Sequence, residues 1–274
     1  MRSGIGSLAL FIFTLLFALA QEAAAKPDPQ AALGLSRAAI GGRIPGDLRF
    51  YDTEARPLRL SELAGRPWLL VLVYTGCADI CPTIIRNLHP ILSNAREVIG
   101  EDRFRVVVVG FDAERDNPVR MRGFARAQGI DDPDWLFLSS DQATVDRLAD
   151  AVGFTFYPAV GGYDHLAQVT LVDSEGRVYR QIYGAVFDPP QIIEPLKDLV
   201  FGRFEPVGDL GDLFDRIRLF CTVYNPNSGR YYFDYSLFIG IVIGSLCLAL
   251  VAYFVVREWR RAGGPGTSRA TPHR

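Results

Sequence analysis

An apolar segment near the carboxyl end, residues 236–256, constrains the fold of this 274-residue chain more than any other feature. It carries no charge, and as a helix its 21 residues rise about 31 Å, which matches the thickness of a bilayer core. Aromatic residues lie at both ends, as at membrane interfaces: Tyr231, Tyr232, Phe233, Tyr235, Tyr253 and Trp259. Because arginines follow, we expect a transmembrane helix with a cytoplasmic tail at residues 257–274.

The first 25 residues have the pattern of a signal peptide. Arg2 gives a positive start, residues 5–20 are apolar, and small residues at 18–20 and 23–25 offer cleavage sites. An uncleaved membrane anchor is the alternative. Together the two ends predict a single-pass protein of the cell membrane, anchored at its carboxyl end, with its main domain periplasmic or extracytoplasmic. The net charge of -2 and the lack of a basic stripe give no indication of nucleic-acid binding.

Between these ends we expect a tether, a domain and a juxtamembrane segment. Residues 26–45 are rich in Ala, Pro and Gly, which is typical of a tether. Residues 46–203 alternate strand and helix patterns and predict one α/β domain. Residues 204–235 then lead to the membrane.

Within the domain, the apolar runs at 67–74 and 105–112 are typical of parallel strands buried on both faces. Residues 167–173 and 178–183 are joined by turn residues and predict an antiparallel hairpin. We therefore expect a mixed sheet, whose functional site lies at the carboxyl ends of its strands.

Cys77 and Cys81 directly follow the first of these strands, and Pro82 suits the start of a helix. Four positions of separation can bring both thiols onto one helical face, where the first amides favour thiolates. Two chemistries remain open: reversible disulfide exchange, or binding of a soft metal such as Cu(I).

His165 is the histidine that the sequence places at the same edge. It ends the Pro- and Gly-containing loop 157–165 and precedes the predicted strand 167–173, so it could face the two thiols. Taken alone, a loop histidine is more often solvated or a capping residue. His89 lies along the helix after the cysteines, where a structural role is expected, and His273 belongs to the tail.

Three blocks of the sequence resemble the Sco/SenC family of copper chaperones. YTGCADICP at 74–82 resembles the family's CxxxCP motif, and GFDAERDNP at 110–118 is similar to its second block. YDHLAQVTLVDSEGRV at 163–178 resembles the third block, in which a histidine precedes a strand and an Asp-x-x-Gly turn. The blocks have the family's order and spacing, and the resemblance covers residues 40–200.

The resemblance implies a thioredoxin-like domain in which Cys77, Cys81 and His165 bind copper, about one ion per chain. Two thiolates and one imidazole suit Cu(I) and are acceptable to Cu(II), and they leave zinc one ligand short of a closed site. Family members commonly carry Pro where Ala78 and Ala113 stand, which changes loop stiffness but no ligand. The carboxyl-terminal anchor also differs from the amino-terminal anchor usual in the family.

The function implied by the resemblance is that of a membrane-anchored copper-binding chaperone. It would deliver copper to the dicopper centre of a haem-copper respiratory oxidase, and its partner would be the copper-receiving subunit. As a metallochaperone the protein would not be an enzyme. The alternative is a thiol-disulfide oxidoreductase that reduces client cysteines before metal insertion, which needs the thiols but not His165. A transmembrane copper or redox sensor is a third hypothesis, disfavoured by the short tail.

Four further residues have open roles. Asp112 could accept a hydrogen bond behind the copper ligands or act as a cap or turn residue. Cys221 could form an intermolecular disulfide, act as a hand-off ligand or be unused. Gly240 and Gly244 form a GxxxG pattern inside the apolar segment, which predicts a homodimer.

Overall fold

The computed structural model describes residues 28–202, 222–225, 230–233 and 235–262. The chain divides into two compact units, Met1–Pro206 and Val207–Arg274. The predicted signal peptide and Cys221 lie outside the described residues. The predicted domain boundaries and the cleavage of the signal stay predictions.

The first unit contains five α-helices and nine strands among its described residues. The helices are α1 (Pro29–Ala38), α2 (Ile80–Ile99), α3 (Pro118–Ala127), α4 (Gln142–Ala151) and α5 (Pro189–Phe201), with a 3₁₀ helix at Leu60–Leu63. The strands are β1 (Arg49–Tyr51), β2 (Pro57–Arg59), β3 (Trp68–Val73), β4 (Arg105–Gly110), β5 (Trp135–Leu138), β6 (Phe156–Ala159), β7 (Gly162–His165), β8 (Gln168–Val172) and β9 (Val178–Tyr183).

Five strands form the central sheet in the order β5-β4-β3-β8-β9. The neighbours β3, β4 and β5 are parallel, whereas β8 is antiparallel to β3 and β9 is antiparallel to β8. Every residue of β3 is buried, as are Val106 to Gly110 of β4, because both faces of the sheet are covered. The mixed α/β sheet predicted from the sequence is confirmed.

The register of the sheet brings three loops to one edge. Val73 pairs with Gly110, so β3 and β4 end at the same level. Val71 pairs with Val169, and because β8 runs antiparallel to β3, it begins at the edge where β3 ends. The loop after β3, the loop after β4 and the chain that enters β8 therefore meet at this edge.

The segment predicted as a tether contains helix α1, which is a correction to the expectation from composition. Asp28 caps the helix by accepting a hydrogen bond from the amide of Gln30 at 2.9 Å, and Pro29 occupies the first turn. Ser36 is fully buried and its hydroxyl donates to Gln168 of β8 at 2.7 Å. The helix is thus docked on the sheet, because a capped start and a buried polar contact outweigh a loop-like composition.

The predicted loop at 157–165 is also different in the structure, since β6 and β7 form an antiparallel hairpin. Phe156 pairs with His165 and Ala159 with Gly162. Gly161 has a φ of +87°, a conformation that favours glycine at a tight turn. The hairpin stands apart from the central sheet and carries His165 at its last position.

The second unit contains an antiparallel pair, β10 (Thr222–Asn225) and β11 (Arg230–Phe233), and helix α6 (Ser236–Ala262). Within the described residues, α6 supplies the one helix that is long and apolar enough to cross a membrane, over Phe238–Arg261. The helix extends beyond the predicted span of residues 236–256 into the predicted tail, whose residues 263–274 lie outside the described part. An apolar helix able to anchor the chain is therefore present near its carboxyl end.

Candidate metal centre

The two cysteines lie where β3 passes into α2. The amide of Cys77 donates to the carbonyl of Tyr74 at 3.0 Å, which closes a tight turn after the strand. The amide of Cys81, in the first turn of α2, donates to the Cys77 sulfur at 3.4 Å. Cys77 is half-buried, Cys81 is fully buried, and both are free thiols. The helix amino terminus thus holds the thiols together, as the four-residue spacing predicts.

The environments of the two thiols move their pKa values in opposite directions. Burial acts to raise the pKa of Cys77. Hydrogen bonds from the amides of Cys81 and Asp79, and from the side chains of Cys81 and Tyr74, lower the pKa by more than burial raises it. The pKa of Cys77 therefore lies below its ordinary value. Burial raises the pKa of Cys81 strongly, and the neighbouring Cys77 raises it further. The accessible sulfur is therefore the better nucleophile, and the buried one holds its proton until a metal displaces it.

His165 lies in an aromatic cluster at the same edge of the sheet. Its ring centroid is 5.4 Å from that of Phe111, 5.5 Å from Phe154 and 6.2 Å from Tyr74. Burial lowers its pKa, although the carbonyl of Leu166 acts in the opposite direction, so the imidazole is neutral at physiological pH. Nδ1 lies 3.3 Å from that carbonyl, and in the tautomer that donates there the Nε2 lone pair is available to a metal.

Tyr74 contacts both His165 and the cysteine turn. Its ring contacts those of Phe111 and Tyr163, each at a centroid distance of 5.3 Å, and its hydroxyl interacts with the Cys77 thiol. Burial raises the pKa of Tyr74, and Cys77 raises it further. Within the residues that the structure describes, no three His, Cys, Asp or Glu side chains are close enough to hold a metal ion. The structure thus brings the two thiols together and places the His165 ring against the ring of Tyr74.

Asp112 is buried two positions after the end of β4, and its carboxylate faces Arg115 and Tyr163. It lies 3.4 Å from the Arg115 guanidinium and interacts with the hydroxyl of Tyr163, two residues before His165. Burial raises the pKa of Tyr163, and the Asp112 charge raises it further. Asp112 therefore contacts the hairpin that carries the histidine, which makes it a support of that hairpin.

Sequence reasoning did not identify Tyr74, Tyr163 or Asp116 as parts of this edge. The aromatic residues stand in apolar or strand-like stretches, where a core role is the ordinary interpretation. Asp116 lies in the second sequence block, and its carboxylate accepts a hydrogen bond from the amide of Thr75 in the loop after β3. The available signal was the hydroxyl of a tyrosine placed three positions before Cys77, because a buried hydroxyl needs a hydrogen-bonding partner.

The residues present fit a soft metal ion. Two thiols share one helix amino terminus, one of them has a lowered pKa, and a neutral imidazole lies at the same edge. Sulfur and imidazole ligands suit copper, and two sulfurs with one imidazole match the low coordination numbers of Cu(I). Cys77 and Cys81 would supply the sulfurs and His165 the nitrogen. The same two thiols can instead close a disulfide.

Comparisons with known proteins identify the family. The family model described as SCO1/SenC matches residues 38–200, which is more than half of the chain. An SCO2-like protein of Rickettsia felis is 24% identical over 165 residues, covering 57% of this chain and 76% of the relative.

Two solved structures share the fold. Arabidopsis thaliana ScoI with copper bound aligns with a TM-score of 0.50 at 19% identity, over 57% of this chain and 97% of that chain. BsSco, described with a disulfide switch as a member of the Sco family of cytochrome c oxidase assembly proteins, aligns with a TM-score of 0.53 at 19% identity, over 59% and 96%. The thioredoxin-like fold expected from the three sequence blocks is confirmed, and the chain belongs to the SCO1/SenC family.

Proposed function

We propose that this protein is a membrane-anchored copper-binding chaperone that holds one copper ion with Cys77, Cys81 and His165. The observation that carries the proposal is the pair of free thiols on one helix amino terminus, with a neutral histidine at the same edge of the sheet. The copper-bound Arabidopsis thaliana ScoI, which shares the fold, adds support. The ion is cargo, so the site must bind copper tightly enough to carry it and release it to a better ligand set.

The receiving partner that we propose is the copper-accepting subunit of a haem-copper respiratory oxidase, at its dicopper centre. Support comes from BsSco, which is described as belonging to a family of cytochrome c oxidase assembly proteins. Helix α6 would anchor the chain, with the α/β domain on the extracytoplasmic side and residues 257–274 in the cytoplasm. The arginines that follow the apolar segment support this orientation.

A second function, thiol-disulfide exchange, is favoured by the unequal thiols. A half-buried sulfur of lowered pKa beside a buried sulfur of raised pKa suits attack by Cys77 and resolution by Cys81. Such an oxidoreductase would reduce the cysteines of a client before the metal enters. It makes no use of His165, and that difference separates the two functions.

The test is anaerobic loading of the full chain with Cu(I) in detergent, with copper and protein counted and the sulfur ligands measured by X-ray absorption. We expect about one copper per chain with two sulfur ligands. His165→Ala should weaken binding at least about tenfold, because a directly coordinating group is lost. Cys221→Ala and Cys247→Ala in the same chain keep the other two thiols out of the sulfur count.

The matched control is His89→Gln, which removes a histidine whose ring packs on Trp135 at 5.9 Å and which lies along α2, away from the thiols. Copper binding by this variant should equal that of the wild type. Unchanged stoichiometry and affinity in His165→Ala would refute the three-ligand site. Reduction of a disulfide client that persists in His165→Ala, without copper uptake by the wild type, would favour the oxidoreductase.

A further inference from the structure

The position of Tyr74 gives it a contact with both halves of the proposed site. It directly follows β3, and its carbonyl accepts the amide of Cys77 at 3.0 Å, so its backbone belongs to the cysteine turn. Its buried ring meets the His165 ring edge-on at 6.2 Å and the Tyr163 ring at 5.3 Å. One side chain therefore lies between the loop that carries the thiols and the hairpin that carries the histidine.

The hydroxyl of Tyr74 rests against the backbone of this hairpin. A Cβ atom placed on Gly162 would lie 2.4 Å from the hydroxyl oxygen, closer than side-chain atoms approach. The hydroxyl also interacts with the backbone amide of Tyr163 and with the Cys77 thiol. Glycine at position 162 is what allows the hairpin to come this close. Phenylalanine at position 74 would fill the same space but would lack the hydroxyl that makes this polar contact.

A second tyrosine, in β7 itself, also attaches the hairpin to the rest of the domain. Tyr163 interacts through its hydroxyl with the buried carboxylate of Asp112 after β4. The hairpin β6–β7 is outside the central sheet, so these two tyrosines and the aromatic cluster are its observed attachments. In this arrangement, no three metal-binding side chains among the described residues lie close enough together to hold one ion. His165 therefore has to approach the thiols if all three are to bind one ion.

We propose that the Tyr74 hydroxyl is a latch: by resting against the backbone of hairpin β6–β7 while the Tyr74 backbone closes the cysteine turn, it holds His165 away from the thiols until copper binds. The inference rests on the proposed function, in which these three residues take the ion. Tyr74 is a positioning residue and not a ligand. When only a fraction of the chains have the latch open, the apparent copper affinity is reduced by that fraction. Removing the hydroxyl should increase it.

The first measurement needs no copper. In the reduced full chain in detergent, Tyr74→Phe should speed hydrogen exchange in the peptide that covers residues 156–165 by roughly fivefold, the effect of one lost hydrogen bond. Peptides of β3 and β4 should exchange at the wild-type rate. Tyr157→Phe is the matched control, since it removes an exposed hydroxyl from the same hairpin and should change neither. If the peptide of residues 156–165 exchanged hydrogen in Tyr74→Phe at the wild-type rate, the latch proposal would be wrong.

The second measurement is a competition titration with Cu(I) and a chromogenic chelator. Tyr74→Phe should bind Cu(I) about fivefold more tightly than the wild type, again the effect of one hydrogen bond. In a His165→Ala background this tightening should disappear, because there is no histidine to hold back, whereas any effect of the hydroxyl on the Cys77 thiol is common to both backgrounds. An equal effect in both backgrounds, or weaker binding by Tyr74→Phe, would overturn the inference. A wild-type chain that takes up no copper would refute the proposed function, and hydrogen exchange would still decide the latch.

Discussion

At the scale of single residues, the buried carboxylate of Asp116 joins the two loops beside the candidate site. Its Oδ1 accepts the amide of Thr75 at 2.9 Å and the Thr75 hydroxyl at 2.7 Å, and its Oδ2 accepts the amide of Asp112 at 3.0 Å. Burial raises the pKa of Asp116, although these three donors favour the charged form. Thr75 lies two positions before Cys77, so the carboxylate fixes the start of the cysteine turn.

Asp116→Asn should destabilise the α/β domain by about 1–3 kcal/mol. In asparagine, an NH₂ group replaces one carboxylate oxygen that now accepts these hydrogen bonds. This NH₂ group would face a group that donates, so a buried donor would be left without an acceptor. The urea midpoint of the full chain, followed by the fluorescence of Trp68 and Trp135, measures the loss.

The control for this substitution is Arg115→Ala in the same loop. The Arg115 side chain is 65% exposed, and its 3.4 Å ion pair with Asp112 is largely solvated, so the cost should stay below about 1 kcal/mol. If the two substitutions cost the same, the three hydrogen bonds of Asp116 would not be the cause.

The residues of the candidate site could be predicted to different extents. Cys77 and Cys81 were placed correctly at the strand-to-helix turn, because an apolar run followed by a proline-containing helix start is a local pattern. The hydroxyl contact of Tyr74 is made with the backbone at Gly162, 88 positions further along the chain, and no local pattern predicts it. The approach of the hairpin to Tyr74 is a tertiary contact that depends on glycine at that position.

At the scale of elements, the docking of α1 depends on a close approach between two backbones. A Cβ atom on Gly153 would lie 2.3 Å from the carbonyl oxygen of Leu35 in α1, and Gly153 has a φ of +62°. Next to this contact, Ser36 joins a buried polar network with Gln168, whose amide also donates to the carbonyl of Val152 at 3.2 Å. The helix is therefore held by specific polar contacts and by a close approach of backbones.

Gly153→Ala should destabilise the domain by about 2–4 kcal/mol. The left-handed backbone costs about 1–2 kcal/mol for a residue with a side chain, and the clash with α1 adds strain. The urea midpoint reports the total loss, and hydrogen exchange in residues 29–38 reports the release of α1. Exchange in α1 should rise more than exchange in β3.

A matched glycine, Gly123, lies on the exposed face of helix α3. Gly123 has no atom within 4 Å of an added Cβ, so Gly123→Ala should stabilise the domain by about 0.5–1 kcal/mol. Destabilisation by both substitutions would contradict the assignment of the Gly153 effect to the contact with α1.

Elements with long periodic or apolar patterns could be predicted, whereas short ones could not. The central strands and helices α2 to α5 follow from buried runs and capping residues such as Asp141. Helix α1 was interpreted as a tether because Ala, Pro and Gly dominate its surroundings, and its stability depends on docking. The hairpin β6–β7 was interpreted as a loop, since Pro158 and two glycines hide a two-stranded pair that aromatic packing stabilises.

At the scale of the whole molecule, the apolar helix α6 provides a surface that the described structure leaves uncovered. No atom lies within 4 Å of a Cβ built on Gly240 or Gly244. The spacing from Gly240 to Gly244 to Cys247 is four and then three residues, so all three lie on one face of α6. Two chains that pack through these glycines would bring their Cys247 residues close together, and the sequence alone predicts this pairing.

The predicted homodimer can be tested through Cys247 in membranes, in a chain whose other three cysteines are alanine. A bismaleimide cross-linker should join two chains through Cys247, and Gly244→Ile should abolish the product, because a branched side chain keeps the helices apart. The control moves the thiol to the other face of α6 by combining Cys247→Ala with Ala249→Cys, since two residues turn the helix by about 200°. Equal cross-linking by the relocated thiol would indicate random collision, and cross-linking that survives Gly244→Ile would place the contact on another face.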